Sequence, residues 1–199
     1  MSHMNEMARS LQPEKAPEWE KENSAGLFRF FLVAFGIALA IRIFIAEPFV
    51  VNGASMEPTF ENGEYLAIDK LTYRMLREPE RGEVVVFRFP EDPKKYFIKR
   101  IIGLPGEVID IEEAGIFIVN GSESIELEEP YIAEEDLSAF KKALGTDEYF
   151  VMGDNRNVSS DSRIWGGVPS ENIVGRVLFR FLPIGKIEFL PGQELPDKE

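Results

Sequence analysis

Ser55 lies in the segment Asn52–Phe60, which reads NGASMEPTF and raises the question of what could activate its hydroxyl. A serine hydroxyl is a weak nucleophile, and catalysis requires a neighbouring base that accepts its proton. Histidine is the usual base, but the only histidine of the chain is His3, in a polar N-terminal stretch rich in Glu, Lys and Pro. A Ser–His–Asp triad is therefore not expected.

The composition argues against several other kinds of catalytic or binding site. The chain has no cysteine, which excludes a cysteine nucleophile, a thiolate zinc site and a disulfide scaffold. Histidine is the commonest ligand of catalytic zinc, so a zinc hydrolase is not expected either. The net charge of −13 argues against a nucleic-acid partner, because such proteins need a basic face. Carboxylates and lysine remain as possible bases.

Lys99 is the lysine whose neighbours suggest such a role. In the segment YFIKRIIGLPG, strand alternation places Phe97, Lys99 and Ile101 on one face. Burial between apolar side chains lowers the pKa of a lysine, because the charged form loses its hydration. The alternative is an ordinary lysine on an edge strand or a solvent-facing surface.

A third polar cluster occupies Met152–Gly166, with the sequence MGDNRNVSSDSRIWG. The alternatives are a plain polar loop or a calcium site, but the oxygen ligands do not alternate as they do in an EF-hand loop. Its hydroxyls and its Asp and Arg residues fit better as groups that support a neighbouring site.

One strongly apolar segment, Leu27–Ala46, precedes all of these clusters. As a helix of about 20 residues it would span roughly 30 Å, the thickness of a hydrocarbon core. We expect a membrane helix over 26–46; a buried helix of a soluble protein and a cleaved secretory signal are the alternatives. Lys and Arg residues are more frequent before this segment than directly after it, which places the N-terminus in the cytoplasm. The opening MSHM resembles a cloning scar within the tail 1–25.

The remainder of the chain, 47–199, has the pattern of an antiparallel β protein. Short runs of β-branched and aromatic residues alternate with Gly, Pro and Asn. A type I′ turn is predicted at Val119–Gly121 and one helix at Ala133–Leu144. The predicted strands are Tyr65–Leu71, Glu83–Phe89, Tyr96–Leu104, Val108–Ile111, Ile116–Val119, Tyr149–Met152, Ile173–Leu182 and Ile187–Leu190.

Four of these segments together resemble the bacterial type I signal peptidases, membrane-anchored serine proteases with a Ser–Lys dyad. The matching segments are SMEPT at Ser55–Thr59, RGEVVVF at Arg81–Phe87, KRIIGLPG at Lys99–Gly106 and GDNRNVSSDSR at Gly153–Arg163. Their order and spacing and the preceding apolar segment also agree with the family. The likeness covers about Leu27–Leu190.

The resemblance implies a role for each matching residue. Ser55 would be the nucleophile and Lys99 the general base, and the Ser159 hydroxyl would orient the lysine amine. The other implied roles are an Asp161–Arg163 ion pair, close backbone approach at Gly153, and a substrate-facing position for Met56. Some members have a serine where this chain has Gly53, so the second donor to the oxyanion stays open.

The resemblance also implies the wider organisation. It predicts a mainly β, antiparallel catalytic domain outside the cytoplasmic membrane, with a small β/α insertion near 107–146, after a single-pass anchor. The partners would be secretory preproteins with small residues at the first and third positions before the scissile bond, together with membrane lipid. No metal and no organic cofactor are expected.

Two other functions remain as alternatives. A self-cleaving repressor of the Ser–Lys type would need an N-terminal DNA-binding domain, and the acidic tail followed by an apolar segment does not resemble one. A non-catalytic, membrane-tethered β binding module would not need Ser55, Lys99 and Ser159 together.

Overall fold

A computed structural model of the protein describes residues 18–40, 46–121, 123–132 and 138–192. The chain divides after residue 42 into two units. The described part of the first unit is helical, and the second unit contains the β-strands.

Helix α1 spans Glu18–Ala40 and contains most of the apolar segment. Its large apolar side chains from Leu27 to Leu39 are exposed, with Phe28 and Phe35 exposed by 69% and 70%. The helix begins before the predicted start at residue 26, within the predicted tail, while residues 1–17 and 41–45 lie outside the described residues. Among the helices that the structure describes, none combines the length and the hydropathy that crossing a membrane requires.

The larger sheet of the second unit has eight strands, and all of their pairings are antiparallel. Its strands are β1 (Ala46–Val50), β2 (Tyr65–Asp69), β3 (Val84–Phe89), β4 (Asp92–Gly103), β9 (Glu148–Met152), β10 (Val168–Pro169), β11 (Ile173–Leu182) and β12 (Glu188–Phe189). They are arranged in the order β1-β2-β11-β3-β4-β9-β10, and β12 pairs with β11.

The residues between β4 and β9 form a smaller antiparallel sheet, at the place where the sequence predicts the insertion 107–146. Its strands are β5 (Val108–Glu112), β6 (Gly115–Asn120), β7 (Glu123–Glu126) and β8 (Phe140–Ala143). They are arranged in the order β7-β6-β5-β8. The predicted mainly antiparallel β fold is therefore confirmed.

Short helical segments connect some of these strands. They are a π-helix at Thr72–Leu76, helix α2 at Ser162–Trp165, and 3₁₀ turns at Ser170–Asn172 and Ile184–Lys186.

The helix predicted over Ala133–Leu144 is wrong where the structure describes it. Residues 133–137 lie outside the described residues, and Phe140–Ala143 form strand β8 against β5. The Phe140 ring packs 5.6 Å from the ring of Phe150, and Lys141 pairs with Asp110 on the neighbouring strand. Cross-strand packing thus outweighs the local preference for a helix.

The predicted Asn-Gly hairpin joins β6 and β7, but its turn lies one residue later than expected. Asn120 pairs with Glu123, so Gly121 is the first residue of the loop, with a φ of 63°. Glycine adopts this left-handed conformation without steric cost.

Three apolar clusters fix the strands that surround the predicted site. Strand β3 is central, because Val84, Val85, Val86 and Phe87 are all buried and contribute to two clusters on opposite sides. The third cluster joins the smaller sheet to β9 through Phe150. The neighbouring strand β4 is thereby held in a fixed position.

Candidate active site

Ser55 lies in the turn-rich segment that joins β1 to β2. Backbone hydrogen bonds close the base of this segment, from Val51 N to Glu64 O and from Gly63 N to Val51 O, both at 2.9 Å. The Ser55 carbonyl oxygen accepts a hydrogen bond of 3.1 Å from the backbone N–H of Asn155. The nucleophile segment is thus tied to the polar cluster that follows β9.

Lys99 reaches Ser55 from the middle of β4. Its Nζ lies 2.7 Å from Ser55 Oγ and donates a second hydrogen bond of 2.9 Å to the carbonyl oxygen of Ile98. The lysine pairs with Val85 of the buried strand β3 and is only 4% exposed. The structure therefore brings together the two residues that the sequence selected from separate segments.

Burial lowers the pKa of Lys99 from 10.5 to about 8, since water no longer solvates the ammonium form. The centroid of the Phe97 ring lies 5.7 Å from Nζ. The carboxylates of Asp161 and Asp154 act in the opposite direction and raise the pKa. Because burial is the largest cause, the amine is far easier to deprotonate than an ordinary lysine.

The polar cluster after β9 packs directly against the nucleophile. Gly153 approaches so closely that a Cβ atom there would lie 2.3 Å from the carbonyl oxygen of Ser55. The Gly153 N–H donates to Asp161 Oδ2 at 3.2 Å, and Arg163 holds the same carboxylate with bonds of 2.8 and 2.9 Å. Asp161 is fully buried and also accepts a bond from the N–H of Arg163, at the start of α2.

Ser159 differs from the expectation that its hydroxyl orients the lysine amine. The side chain is buried and adjoins Gly153, but Ser159 Oγ has no hydrogen-bond partner among the described residues. The Lys99 amine is instead oriented by the carbonyl oxygen of Ile98 and by Ser55 Oγ.

Met56 also differs from the expectation, because its side chain does not face a substrate. It is 1% exposed and packs in the core with Val51, Phe60 and Leu66. The Phe60 N–H donates to the Met56 carbonyl oxygen at 2.8 Å.

Gly53 lies two residues before the nucleophile with a φ of 95°. A Cβ atom at this position would meet nothing within 4 Å, and the Gly53 N–H donates to Asn62 Oδ1 at 2.9 Å. Backbone conformation rather than lack of space therefore favours glycine here.

Sequence reasoning missed a buried ion pair directly behind the lysine. Arg100 binds Asp154 through two hydrogen bonds of 2.9 and 2.6 Å, and both side chains are almost fully buried. Thr59 Oγ1 donates to the same carboxylate at 2.5 Å, which joins the nucleophile segment to the pair. Because side chains alternate along a strand, Lys99 and Arg100 lie on opposite faces of β4. An arginine that is buried there needs a carboxylate as its partner.

A groove of about 660 Å³ runs past Ser55 and Lys99. One wall is formed by 48–55 and the other by 96–99, and the groove is lined mainly by apolar side chains and backbone. Phe49 and Tyr96, which both line it, make an edge-to-face ring contact with centroids 5.4 Å apart.

The comparison with known families matches most of the chain. The family model described as signal peptidase, peptidase S26, matches residues 24–182.

Individual relatives agree with that match. A protein named "Probable signal peptidase I-2" from Synechocystis sp. is 40% identical over 187 residues, which cover 90% of this chain and 83% of the relative. A signal peptidase I from Leptolyngbya laminosa is 39% identical over 159 residues, with 76% of each chain covered. A signal peptidase I from Bacillus amyloliquefaciens is 38% identical over 166 residues, covering 76% of this chain and 82% of the relative.

A solved structure of a signal peptidase I from Enterococcus faecalis V583 is also similar. It is 28% identical and aligns with a TM-score of 0.44 over 51% of this chain and 97% of that chain.

Proposed function

Because the chain belongs to the signal peptidase family, peptidase S26, we propose that it removes signal peptides with Ser55 as nucleophile and Lys99 as general base. The chain is a serine endopeptidase of the signal peptidase I type, and the repressor and binding-module alternatives are not favoured. The observation that supports the residue roles best is the distance of 2.7 Å between Lys99 Nζ and Ser55 Oγ in a buried setting.

The reaction begins with the neutral form of Lys99. The amine accepts the proton of the Ser55 hydroxyl while Oγ attacks the scissile carbonyl carbon. The resulting ammonium then donates that proton to the leaving amine, and the acyl group stays on Ser55. Lys99, neutral again, takes a proton from a water molecule as the water oxygen attacks the ester carbon. The bond between that carbon and Ser55 Oγ then breaks, Lys99 returns the proton to Oγ, and the second product leaves as a carboxylic acid.

The developing oxyanion needs a hydrogen-bond donor. The backbone N–H of Ser55 fills this role in our proposal, because it lies next to the attacking atom. Gly53 has no side chain and therefore supplies no hydroxyl to the oxyanion. The Asp161–Arg163 pair and Gly153 hold the nucleophile segment in place from the opposite side.

The substrates are secretory preproteins, as the family implies. We place the residues on one side of the scissile bond in the groove between 48–55 and 96–99, as an extended strand. The preference for small residues at the first and third positions before the bond is part of this proposal. The prediction that the reaction uses no metal or organic cofactor stays a prediction.

The family is membrane-associated in bacteria. We propose a single anchor in the apolar segment 26–46, with the N-terminal tail in the cytoplasm and 47–199 outside. The exposed apolar side chains of α1 from Leu27 to Leu39 support an apolar environment for that helix, and Lys and Arg are sparse after the segment.

The test uses the full chain in detergent, incubated with a purified preprotein, and identifies the products by mass. The wild type should release one signal peptide, and Ser55→Ala should release none. Ser124→Ala, on the exposed strand β7, serves as the matched control and should cleave like the wild type. Cleavage at the same bond by Ser55→Ala would remove Ser55 from the mechanism.

A further inference from the structure

A short segment after β7 connects the smaller sheet to the residues behind the candidate site. The chain leaves that sheet with a hydrogen bond of 2.8 Å from Leu127 N to Ile116 O, and a turn follows at Glu129. The segment Glu129–Tyr131, which we call the strap, then contacts two arginines of the larger sheet and its loops.

The first contact covers the guanidinium of Arg100. The ring of Tyr131 lies 3.7 Å from the Arg100 Cζ, which is a close cation–π arrangement. Besides its two hydrogen bonds to Asp154, Arg100 donates one of 2.9 Å to the carbonyl oxygen of Gly82. The ring therefore packs against a guanidinium whose position is fixed by a fully buried carboxylate.

The second contact holds Arg156. Glu129 accepts two hydrogen bonds from its guanidinium, one of 2.8 Å, in a pair with 5% and 0% exposed side chains. Arg156 Nε in turn donates to the carbonyl oxygen of Gly153 at 3.0 Å. Tyr131 Oη donates to the same Glu129 at 2.7 Å, so the two contacts share one carboxylate.

Both arginines are linked, through the chain or through hydrogen bonds, to residues that surround Ser55 and Lys99. Arg100 follows Lys99 directly in β4, and Gly153 packs against the carbonyl oxygen of Ser55. The carbonyl oxygen of Arg156 accepts a bond of 2.7 Å from Arg163, the arginine that holds Asp161. The strap is thus connected through one arginine to the base and through the other to the nucleophile.

We propose that Glu129 and Tyr131 are positioning residues for the Ser–Lys dyad, so that the inserted sheet acts on catalysis through this strap. The proposal rests on the proposed function, since it assumes that Ser55 and Lys99 react. Neither strap residue touches the reacting atoms. They act by holding Arg100, which binds Asp154, and Arg156, which binds the carbonyl oxygen of Gly153.

Loss of the strap has a defined consequence for Lys99. A loosened loop admits water to the amine, and a less firmly held Arg100 offsets the charge of Asp154 less completely. Both effects favour the ammonium form, so the pKa of Lys99 moves back up toward its ordinary value. Activity near neutral pH then falls, while activity at alkaline pH is affected less.

The test compares Glu129→Gln, Tyr131→Leu and Tyr131→Phe in the full chain with a preprotein substrate. We expect Glu129→Gln and Tyr131→Leu to lower kcat/KM at pH 7 about tenfold, chiefly through kcat. Tyr131→Leu changes no charge, so its acid limb should lie about one pH unit higher. Tyr131→Phe keeps the ring over Arg100 and should stay within about threefold of the wild type. Glu128→Gln, at the exposed neighbouring position, is the matched control and should change nothing.

A second readout does not depend on substrate. The Lys99 amine is titrated by NMR in protein labelled with ¹⁵N-lysine, with Lys99→Ala to assign its signal. The midpoint should rise in Tyr131→Leu and stay unchanged in Glu128→Gln. An unmoved midpoint in Tyr131→Leu, or activity losses that only follow unfolding, would overturn the strap proposal. Failure of the wild type to cleave the preprotein would count against the proposed function instead.

Discussion

Gly153 packs against Ser55 so closely that a Cβ atom on residue 153 would lie 2.3 Å from the Ser55 carbonyl oxygen. The same atom would lie 2.3 Å from Ser159 Oγ and 2.7 Å from Ser159 Cβ. Since protein Cβ atoms do not make contacts this short, any side chain at this position must displace the nucleophile segment or the loop after β9.

The first prediction is therefore that Gly153→Ala lowers kcat/KM about 100-fold, because a shift of about 1 Å at a nucleophile has effects of that order. The protein should remain folded, since the displacement is local. The measurement is the rate of preprotein cleavage together with the thermal unfolding midpoint. Gly185→Ala is the control, because a Cβ at Gly185 meets nothing within 4 Å. Wild-type kinetics for Gly153→Ala would show that the close approach has no catalytic role.

The dyad could be predicted from the sequence because each member lies in a short segment whose local pattern is informative. Phe97, Lys99 and Ile101 share one face of a strand, which makes the Lys99 amine a candidate for burial. The lack of cysteine and of a histidine near Ser55 leaves carboxylates and lysines as bases, and the family resemblance selects Lys99 among them. The structure adds the distance between them, which depends on packing across the sheet.

Other features depend on contacts between distant parts of the chain, and the sequence does not reveal them. The partner of Arg100 is Asp154, 54 positions away, and the partner of Arg156 is Glu129, 27 positions away in the segment after β7. Met56 follows the nucleophile in a turn, where no periodicity tells which side of the chain is buried. Strand β8 contains two lysines and an alanine that suit a helix, and only its pairing with β5 makes it a strand.

The second prediction concerns how much the burial of Lys99 lowers the free energy of unfolding. A lysine whose pKa falls from 10.5 to about 8 on folding destabilises the protein by about 3 kcal/mol at any pH below 8. Between pH 8 and 10.5 the unfolded chain binds more protons than the folded chain, so stability rises with pH. Above pH 10.5 the amine is neutral in both the folded and the unfolded protein, so its burial no longer destabilises the fold.

Lys99→Met should therefore be inactive but more stable than the wild type, by up to about 3 kcal/mol at pH 7. Its advantage should shrink as the pH rises from 8 to 10.5. Urea unfolding of both proteins across this range measures the difference. Lys94→Met, at an exposed position near the start of β4, should show no such pH-dependent advantage. An advantage of Lys99→Met that grows with pH would contradict the burial argument.

The third prediction concerns Gly53, two residues before the nucleophile. The φ of 95° is unfavourable for any residue with a Cβ, although the space around that atom is open. We expect Gly53→Ser to lower stability by about 1–2 kcal/mol without raising kcat, because the backbone must shift before the hydroxyl can reach the oxyanion. Thermal unfolding and cleavage kinetics test both parts. A higher kcat at unchanged stability would show that the loop adapts and that the site accepts another donor.

The last prediction concerns the pH dependence of cleavage, which reports the protonation of Lys99. With a pKa of about 8, about one amine in ten is neutral at pH 7, compared with fewer than one in a thousand for an ordinary lysine. The profile of kcat/KM against pH should therefore rise through an acid limb near pH 8 and level off above it. Lys99→Arg should be inactive at every pH, because a guanidinium does not deprotonate in proteins. Activity that falls between pH 6 and 8, or measurable cleavage by Lys99→Arg, would exclude a neutral lysine as the base.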